Sequence, residues 1–233
     1  MEKKIYCEDI GLVTLVTSPR AIHYSLKISR GAVRATMPEG GSEARLMAFI
    51  QKNKEKILAA LKKHPATAPL DDNRPLETAT FHWEICRAGR NNFLLERKEG
   101  LRRVYCPETA NFEAEAVQAL LKKILRGELR HEAERLLPLR LKAWAEKLHF
   151  VYAGVKIRDL KSRWGCCNTS GNITLSLSLM LLPWHLIDYV LIHELCHTKV
   201  MNHGKDFKSL IVSVTDGKAP EWRKELKNYS TLR

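Results

Sequence analysis

The chain is poor in acidic side chains, has no paired cysteine motif and has no long uninterrupted apolar run. Asp and Glu number 26 against 39 Lys and Arg, a net charge of +13. That imbalance suits an anionic partner such as nucleic acid, nucleotide or acidic peptide, although dispersed lysines also serve solubility alone. No RNA- or DNA-reading motif accompanies the charge, so nucleic acid stays a possible partner without motif support. The six cysteines, at positions 7, 86, 106, 166, 167 and 196, include no C-x-x-C pair. Reduced thiols are therefore expected rather than disulfides. No apolar run follows Met1–Lys4, so no signal peptide is expected. The most apolar stretch, Ile173–Ile192, is interrupted by Pro183, His185 and Asp188 and alternates Ser with Leu. It reads as a strand followed by a helix, not a membrane span. A cytoplasmic protein with no membrane partner follows as the expectation. There is no internal repeat or low-complexity tract.

What is present reads in segments. At 233 residues the chain is long enough for one large domain or two small ones. Residues 5–36 read as strands: Ile22, Tyr24, Leu26 and Ile28 alternate with His23, Ser25 and Lys27. Gly31 marks a turn, and Ser42 is placed to cap a helix running to about Lys63. Residues 64–75, with three prolines, read as a loop or linker. Phe81–Cys86, Asn92–Arg97 and Leu101–Cys106 read as strands. Phe112 to His149 is helical in pattern, with Pro138 expected to kink or divide it. Trp144 with Arg126, Arg130, Arg135 and Arg140 offers a binding face, against the plainer reading of a core aromatic and solvated arginines. Val155–Leu160 and Asn172–Leu179 read as strands around a loop. The division expected is a β-rich α/β region over 1–110 and a second domain over 111–233.

The second strand feeds the most informative stretch, Leu191-Ile192-His193-Glu194-Leu195-Cys196-His197, followed by Asn202-His203. On a helix, residues four apart lie about 40° apart around the axis and about 6 Å along it. The imidazoles of His193 and His197 can then meet one metal ion, with Glu194 beside the open position where water binds. Shuffling this composition would produce about 0.03 such motifs per chain, and a third histidine at one fixed offset lowers that to roughly 0.001. His203 can join only if the helix stops first, because an unbroken helix would carry it about 120° away. Asn202 and Gly204, which tolerate left-handed backbone, are the expected stop. The histidine spacing equals that of the metzincins, but their turn glycine would fall on Val200. Cys196 cannot readily share the face of the histidines and reads as packing.

The loop Lys161-Ser162-Arg163-Trp164-Gly165-Cys166-Cys167 admits two readings. Lys161, Arg163 and Trp164 hold an anionic or carbonyl group of a substrate, or Trp164 packs inside and Arg163 pairs with a carboxylate.

Arg163-Trp164-Gly165, Gly171-Asn172-Ile173-Thr174-Leu175, Leu186-Ile187-Asp188-Tyr189-Val190, His193-Glu194-Leu195-x-His197 and Asn202-His203 with Phe207 form an ordered series. The series resembles the YgjP-like metallopeptidase-domain family, related to the SprT-like and WLM zincin-like domains. The resemblance covers most of the chain, loosely over Ser18–Ile57 and specifically toward the C-terminus. It implies an α+β zincin-like fold, zinc held by His193, His197 and His203, and Glu194 as the catalytic base. Cys166 stands where the family has Ser, Ser176 where an Asn is usual, and Lys208 where a Trp commonly follows Phe207. These departures bear on substrate preference.

The reading that results is a zinc-dependent hydrolase, a metallopeptidase in first place, with Glu194 activating water. A nucleoside triphosphate pyrophosphohydrolase is the alternative, favoured by positive charge and by Lys161, Arg163, Lys199 and Lys205 near the metal. A nucleic-acid-associated protein with structural zinc is the third. For a peptide, the edge of the strand Asn172–Leu179 is the expected track.

Overall fold

Period-two alternation builds the first sheet. In the computed structural model, which describes residues 2–29, 31–63 and 69–232, four strands open the chain. They are β1 (Glu2–Cys7), β2 (Gly11–Ser18), β3 (Ser25–Ser29) and β4 (Ala32–Pro38), in the order β1-β2-β4-β3. β1–β2 and β3–β4 are antiparallel, and β2–β4 is parallel. Val13, Leu15, Val33 and Ala35 point to one face and are buried with Leu46, Ile50 and Ile57 of two helices. These are α1 (Glu43–Lys52) and α2 (Lys54–Lys63), so the single helix expected over 42–63 is broken at Asn53. The Asn53 side-chain amide donates to the Phe49 carbonyl at 2.8 Å, offering the backbone an alternative to helix there. Ser42 stands at the N-terminal cap, but its side chain makes no capping bond; its backbone N–H donates to the Tyr24 hydroxyl at 3.0 Å instead.

The chain divides into compact units 1–68 and 69–233. The linker expected over 64–75 lies, at 64–68, outside the described residues. The division falls well before the expected boundary at 110/111. The reason is the second sheet: β5 (Leu76–Glu77), β6 (His82–Ala88), β7 (Leu94–Lys98) and β8 (Leu101–Pro107), in the order β5-β6-β8-β7. Its buried Phe81, Trp83, Ile85, Val104 and Cys106 belong to one core with the C-terminal half. A strand's apolar face goes with whichever element covers it, and local pattern does not name that element.

The cover is α3 (Glu115–Leu148), 34 residues long and continuous through Pro138. Proline costs a helix interior about 3 kcal/mol. Here Leu121, Leu125, Leu129, Leu137 and Leu141 on the same helix are completely buried, and at about 1.5–3 kcal/mol each their burial outweighs it. The division expected at Pro138 does not occur. The helix ends at His149, in left-handed conformation at φ 55°, with Phe150 N–H returning to the Ala145 carbonyl at 2.9 Å.

The arginines of α3 face carboxylates. Arg126 lies 3.3 Å from Asp159, Arg130 3.6 Å from Glu134, and Arg135 2.6 Å from Glu132. Arg140 grips Asp188, which also accepts from the Trp144 indole at 2.8 Å. The plainer reading of this face holds, with ion pairs rather than free solvation.

The third sheet carries β9 (Gly154–Arg158), β10 (Gly165–Cys167) and β11 (Asn172–Ser176), in the order β10-β11-β9. β11 is shorter than expected, because Ser176 Oγ accepts the Ser178 N–H at 3.2 Å and opens a 3-10 helix, Leu177–Leu181. It is also the central strand, with β9 parallel on one side and β10 antiparallel on the other. The track expected along Asn172–Leu179 therefore has no free edge. α4 (Trp184–Cys196), α5 (Lys205–Val214) and α6 (Ala219–Leu226) complete the unit. Among the described residues no helix is long and apolar enough to cross a membrane.

Candidate metal centre

Helix α4 is buried nearly all round: Leu186, Ile187, Leu191, Ile192, Leu195 and Cys196 are at most 1% exposed. Cys196 packs as expected, its thiol pushed up to about 12 by burial. His193 and Glu194 occupy the last turn of this helix, and His197 caps it. The helix then closes tightly, with Thr198 N–H on the Leu195 carbonyl at 3.0 Å and Val200 N–H on the Cys196 carbonyl at 2.9 Å. The Thr198 hydroxyl adds a bond to the Leu195 carbonyl at 2.8 Å. Neither Asn202 nor Gly204 takes left-handed backbone; Gly204, at φ −70°, instead caps the start of α5. The stop is thus made at His197, five residues before Asn202, by carbonyls satisfied within the turn.

This turn returns His203 to the helix. The three Nε2 atoms form a near-equilateral triangle: 3.2 Å from His193 to His197, 3.1 Å from His197 to His203, and 3.1 Å from His203 to His193. Three nitrogens held about 2.0–2.1 Å from one tetrahedral centre are spaced by about 3.3 Å, so the triangle fits a zinc ion. His197 Nδ1 lies 3.1 Å from the Val200 carbonyl. A carbonyl only accepts, so the proton sits on Nδ1 and Nε2 keeps its lone pair for a metal. No other cluster of three candidate metal-binding side chains occurs among the described residues, and Asp206 is not part of this one.

Phe207, at 3% exposure on α5, packs under all three rings, with centroids 4.5 Å from His197, 4.8 Å from His203 and 4.9 Å from His193. Desolvation by this packing, with the neighbouring imidazoles adding, pushes His193 down to about 3. The same cause lowers His197. These rings stay neutral at pH 7, the state a metal ligand requires.

Glu194 is 5% exposed, and its Oε2 has no hydrogen-bond partner among the described residues. Burial pushes its carboxyl up to about 7, with Arg163 pulling in the other direction. A Cβ at Gly165 would lie 2.8 Å from Glu194 Oε1 and 2.9 Å from its Cγ. The first residue of β10 is therefore glycine because the carboxylate lies against its backbone. The motif Arg163-Trp164-Gly165 pointed here, but nothing local says which side chain the glycine must clear.

The other residues singled out in that loop are distributed. Arg163 is exposed yet close enough to act on the Glu194 charge. Trp164 is partly buried against the core, and its carbonyl accepts from Ser176 N–H at 2.8 Å. Lys161 is exposed, its carbonyl accepting from the Thr231 hydroxyl at 2.8 Å. Lys199 lies over the Phe150 ring, 4.4 Å from its centroid. A cleft of about 590 Å³ that sequence reasoning missed opens beside His193 and His203, walled by Tyr189, Phe207, Ile211 and Pro220 and flanked by Lys208 and Arg223.

No curated protein matches the chain. Among solved structures, the crystal structure of the metallopeptidase zymogen of Pyrococcus abyssi abylysin is 26% identical, with a TM-score of 0.37. The match covers 40% of this chain and 93% of that one. The YgjP-like, metallopeptidase domain family matches residues 22–229, nearly the whole sequence. A His193-Glu194-x-x-His197 helix in an α+β zincin-like fold, behind a β-rich N-terminal region, accords with that match, and this chain belongs to the YgjP-like metallopeptidase-domain family.

Proposed function

We propose that the chain is a zinc-dependent peptidase in which His193, His197 and His203 hold the metal and Glu194 is the general base. The observation that carries this reading is the convergence of three imidazole nitrogens beside a buried carboxylate with an unpartnered oxygen. A structural zinc site is closed by four protein ligands; three leave a position for water and substrate, which argues against zinc that only shapes a nucleic-acid-associated protein. When bound, zinc supplies Lewis acidity, polarising a carbonyl oxygen and making water more acidic. Glu194 receives the proton at Oε2. A carboxyl lifted to about 7 by burial is matched to proton transfer near neutral pH. Zinc held by the three imidazoles would favour the ionised form of this carboxyl.

An extended peptide adds to the free edge of β10, which among the described residues pairs only with β11 and whose backbone lies against Glu194. Lys161 and Arg163 place positive charge before that strand, and Trp164 fixes the loop that carries them. The six free thiols support a cytoplasmic setting.

One observation favours the nucleotide reading as an alternative: Lys208 and Arg223 beside His193 and His203 offer charge to phosphates. The deciding experiment is a screen of the zinc-loaded enzyme and its Glu194→Gln variant against unfolded proteins, mixed peptides and nucleoside triphosphates. Peptide cleavage that disappears in the variant upholds the peptidase. Phosphate or pyrophosphate release that disappears, with no peptide cleaved, overturns it for the alternative.

A further inference from the structure

The cleft beside the histidines has a composition of its own. Two of the three clustered imidazoles, His193 and His203, form one rim. Tyr189, Phe207, Ile211 and Pro220 give apolar walls, and among the described lining residues Lys208 and Arg223 are the charged groups, with no carboxylate. Neither cation is in an ion pair among the described residues. Glu225, on the same helix as Arg223, is held by His185 at 2.8 Å. Its volume of about 590 Å³ falls in the usual range for ligand pockets, about 300–1,000 Å³. Whatever enters meets hydrocarbon along its length and two unneutralised positive charges.

We infer that this cleft selects a peptide residue that carries a carboxylate on an apolar stem beside the scissile bond, with Lys208 and Arg223 as its partners. The inference rests on the peptidase reading and names its substrate class. A triphosphate fits less well: it brings about four negative charges and an attendant cation, for which the lining offers two positive groups and no carboxylate. One carboxylate on a short stem matches both the charge and the walls. The chemistry is shared by a glutamate side chain and by the C-terminal carboxylate of a peptide.

The test uses the full zinc-loaded chain and matched quenched fluorescent peptides with Glu, Gln, Leu or Lys on either side of the cleaved bond. A second set ends one residue after that bond as free acid or amide. In the wild type kcat/KM for Glu over Gln, or for acid over amide, is expected to be about fivefold. The first set reports an internal side chain and the second a chain end; a preference in either upholds the inference. Lys208→Met and Arg223→Ala each lower that ratio, and Arg223→Glu turns it toward Lys peptides. Both sites are exposed, so zinc content and melting temperature check each fold. Cleavage of all peptides at equal rates overturns the inference and leaves the peptidase standing. If no peptide is cleaved the peptidase reading fails by itself, and binding decides the cleft: fluorescein-labelled peptides are titrated into zinc-loaded Glu194→Gln. Tighter binding of Glu than Gln peptides, lost in Glu194→Gln combined with Arg223→Ala, upholds it. Equal binding, or binding of nucleoside triphosphates alone, overturns it.

Discussion

Replacing Gly165 by alanine tests whether the β10 backbone sets the position of the general base. The new methyl carbon would stand 2.8 Å from Glu194 Oε1, 2.9 Å from Cγ and 3.0 Å from Cδ. Ordinary contact begins near about 3.5 Å, so carboxylate and strand must separate by about 0.5–1 Å. Neither has room. Leu191 and Leu195 on the same helix are fully buried, and Gly165 is paired with Leu175 across the sheet. Overpacking of this kind costs about 1–3 kcal/mol of stability. A displacement near 1 Å at a reacting group lowers turnover by up to about 100-fold. The ligand triangle does not touch Gly165, so zinc should remain at about one per chain. The assay is kcat on a cleavable peptide together with zinc by elemental analysis and the melting temperature. A tenfold to hundredfold fall in kcat is expected, with zinc retained and melting lowered by about 2–12 °C. Wild-type kcat with native melting would refute the close approach. Loss of zinc in parallel would move the effect from the base to the metal.

Other expectations follow from the same geometry. His203→Ala should lose most bound zinc despite its exposed position, because it supplies one corner of the triangle; full occupancy measured by elemental analysis would point to a different third ligand. Arg163→Ala should lower turnover severalfold and raise the acidic limb of the pH–rate profile, since its charge opposes the upward shift of Glu194; an unaltered profile would place Arg163 outside the site. Asp188→Ala should cost about 2–4 kcal/mol in urea unfolding, as it strands the Trp144 indole N–H and the Arg140 guanidinium. For the zinc-free protein, His193 at about 3 and the lowered His197 refuse protons that an unfolded chain binds below about 6.5, so acid destabilises through them. Glu194, raised to about 7, acts oppositely and stabilises as pH falls from there toward about 4.3. His193 and Glu194 oppose each other, so the fall in urea midpoint from pH 6.5 to 5 should be steep in Glu194→Gln and shallower in the wild type. A flat series would contradict the burial argument.

Local spacing carried what lies within a turn or two. The placement of His193 and His197 on one helical face, with Glu194 beside them, depends only on the 3.6-residue repeat, and the structure reproduces it. The alternating strand at 25–28 was equally legible, because period two is a property of the strand itself. His203 was legible as a candidate but not as geometry, since its approach depends on a turn closed by Leu195 and Cys196 carbonyls rather than by a left-handed residue.

What only the tertiary structure decided involves partners distant in sequence. The Arg163-Trp164-Gly165 motif marked Gly165, but only the fold lays Glu194, 29 residues on, against it. β11 had the pattern of a strand, but pattern does not say which strands flank it, and its place in the middle of the sheet moves the free edge to β10. The unit boundary moved to 68/69 because α3 covers the second sheet, and Pro138 stayed helical because buried leucines on both sides of it outweigh one lost hydrogen bond. The cleft with Lys208 and Arg223 joins α4, α5 and α6, three helices whose mutual packing no window of the sequence contains. Spacing along the chain determines which atoms share a helical face, while the covering of one element by another is a choice among long-range contacts whose energies are settled only when the whole core closes.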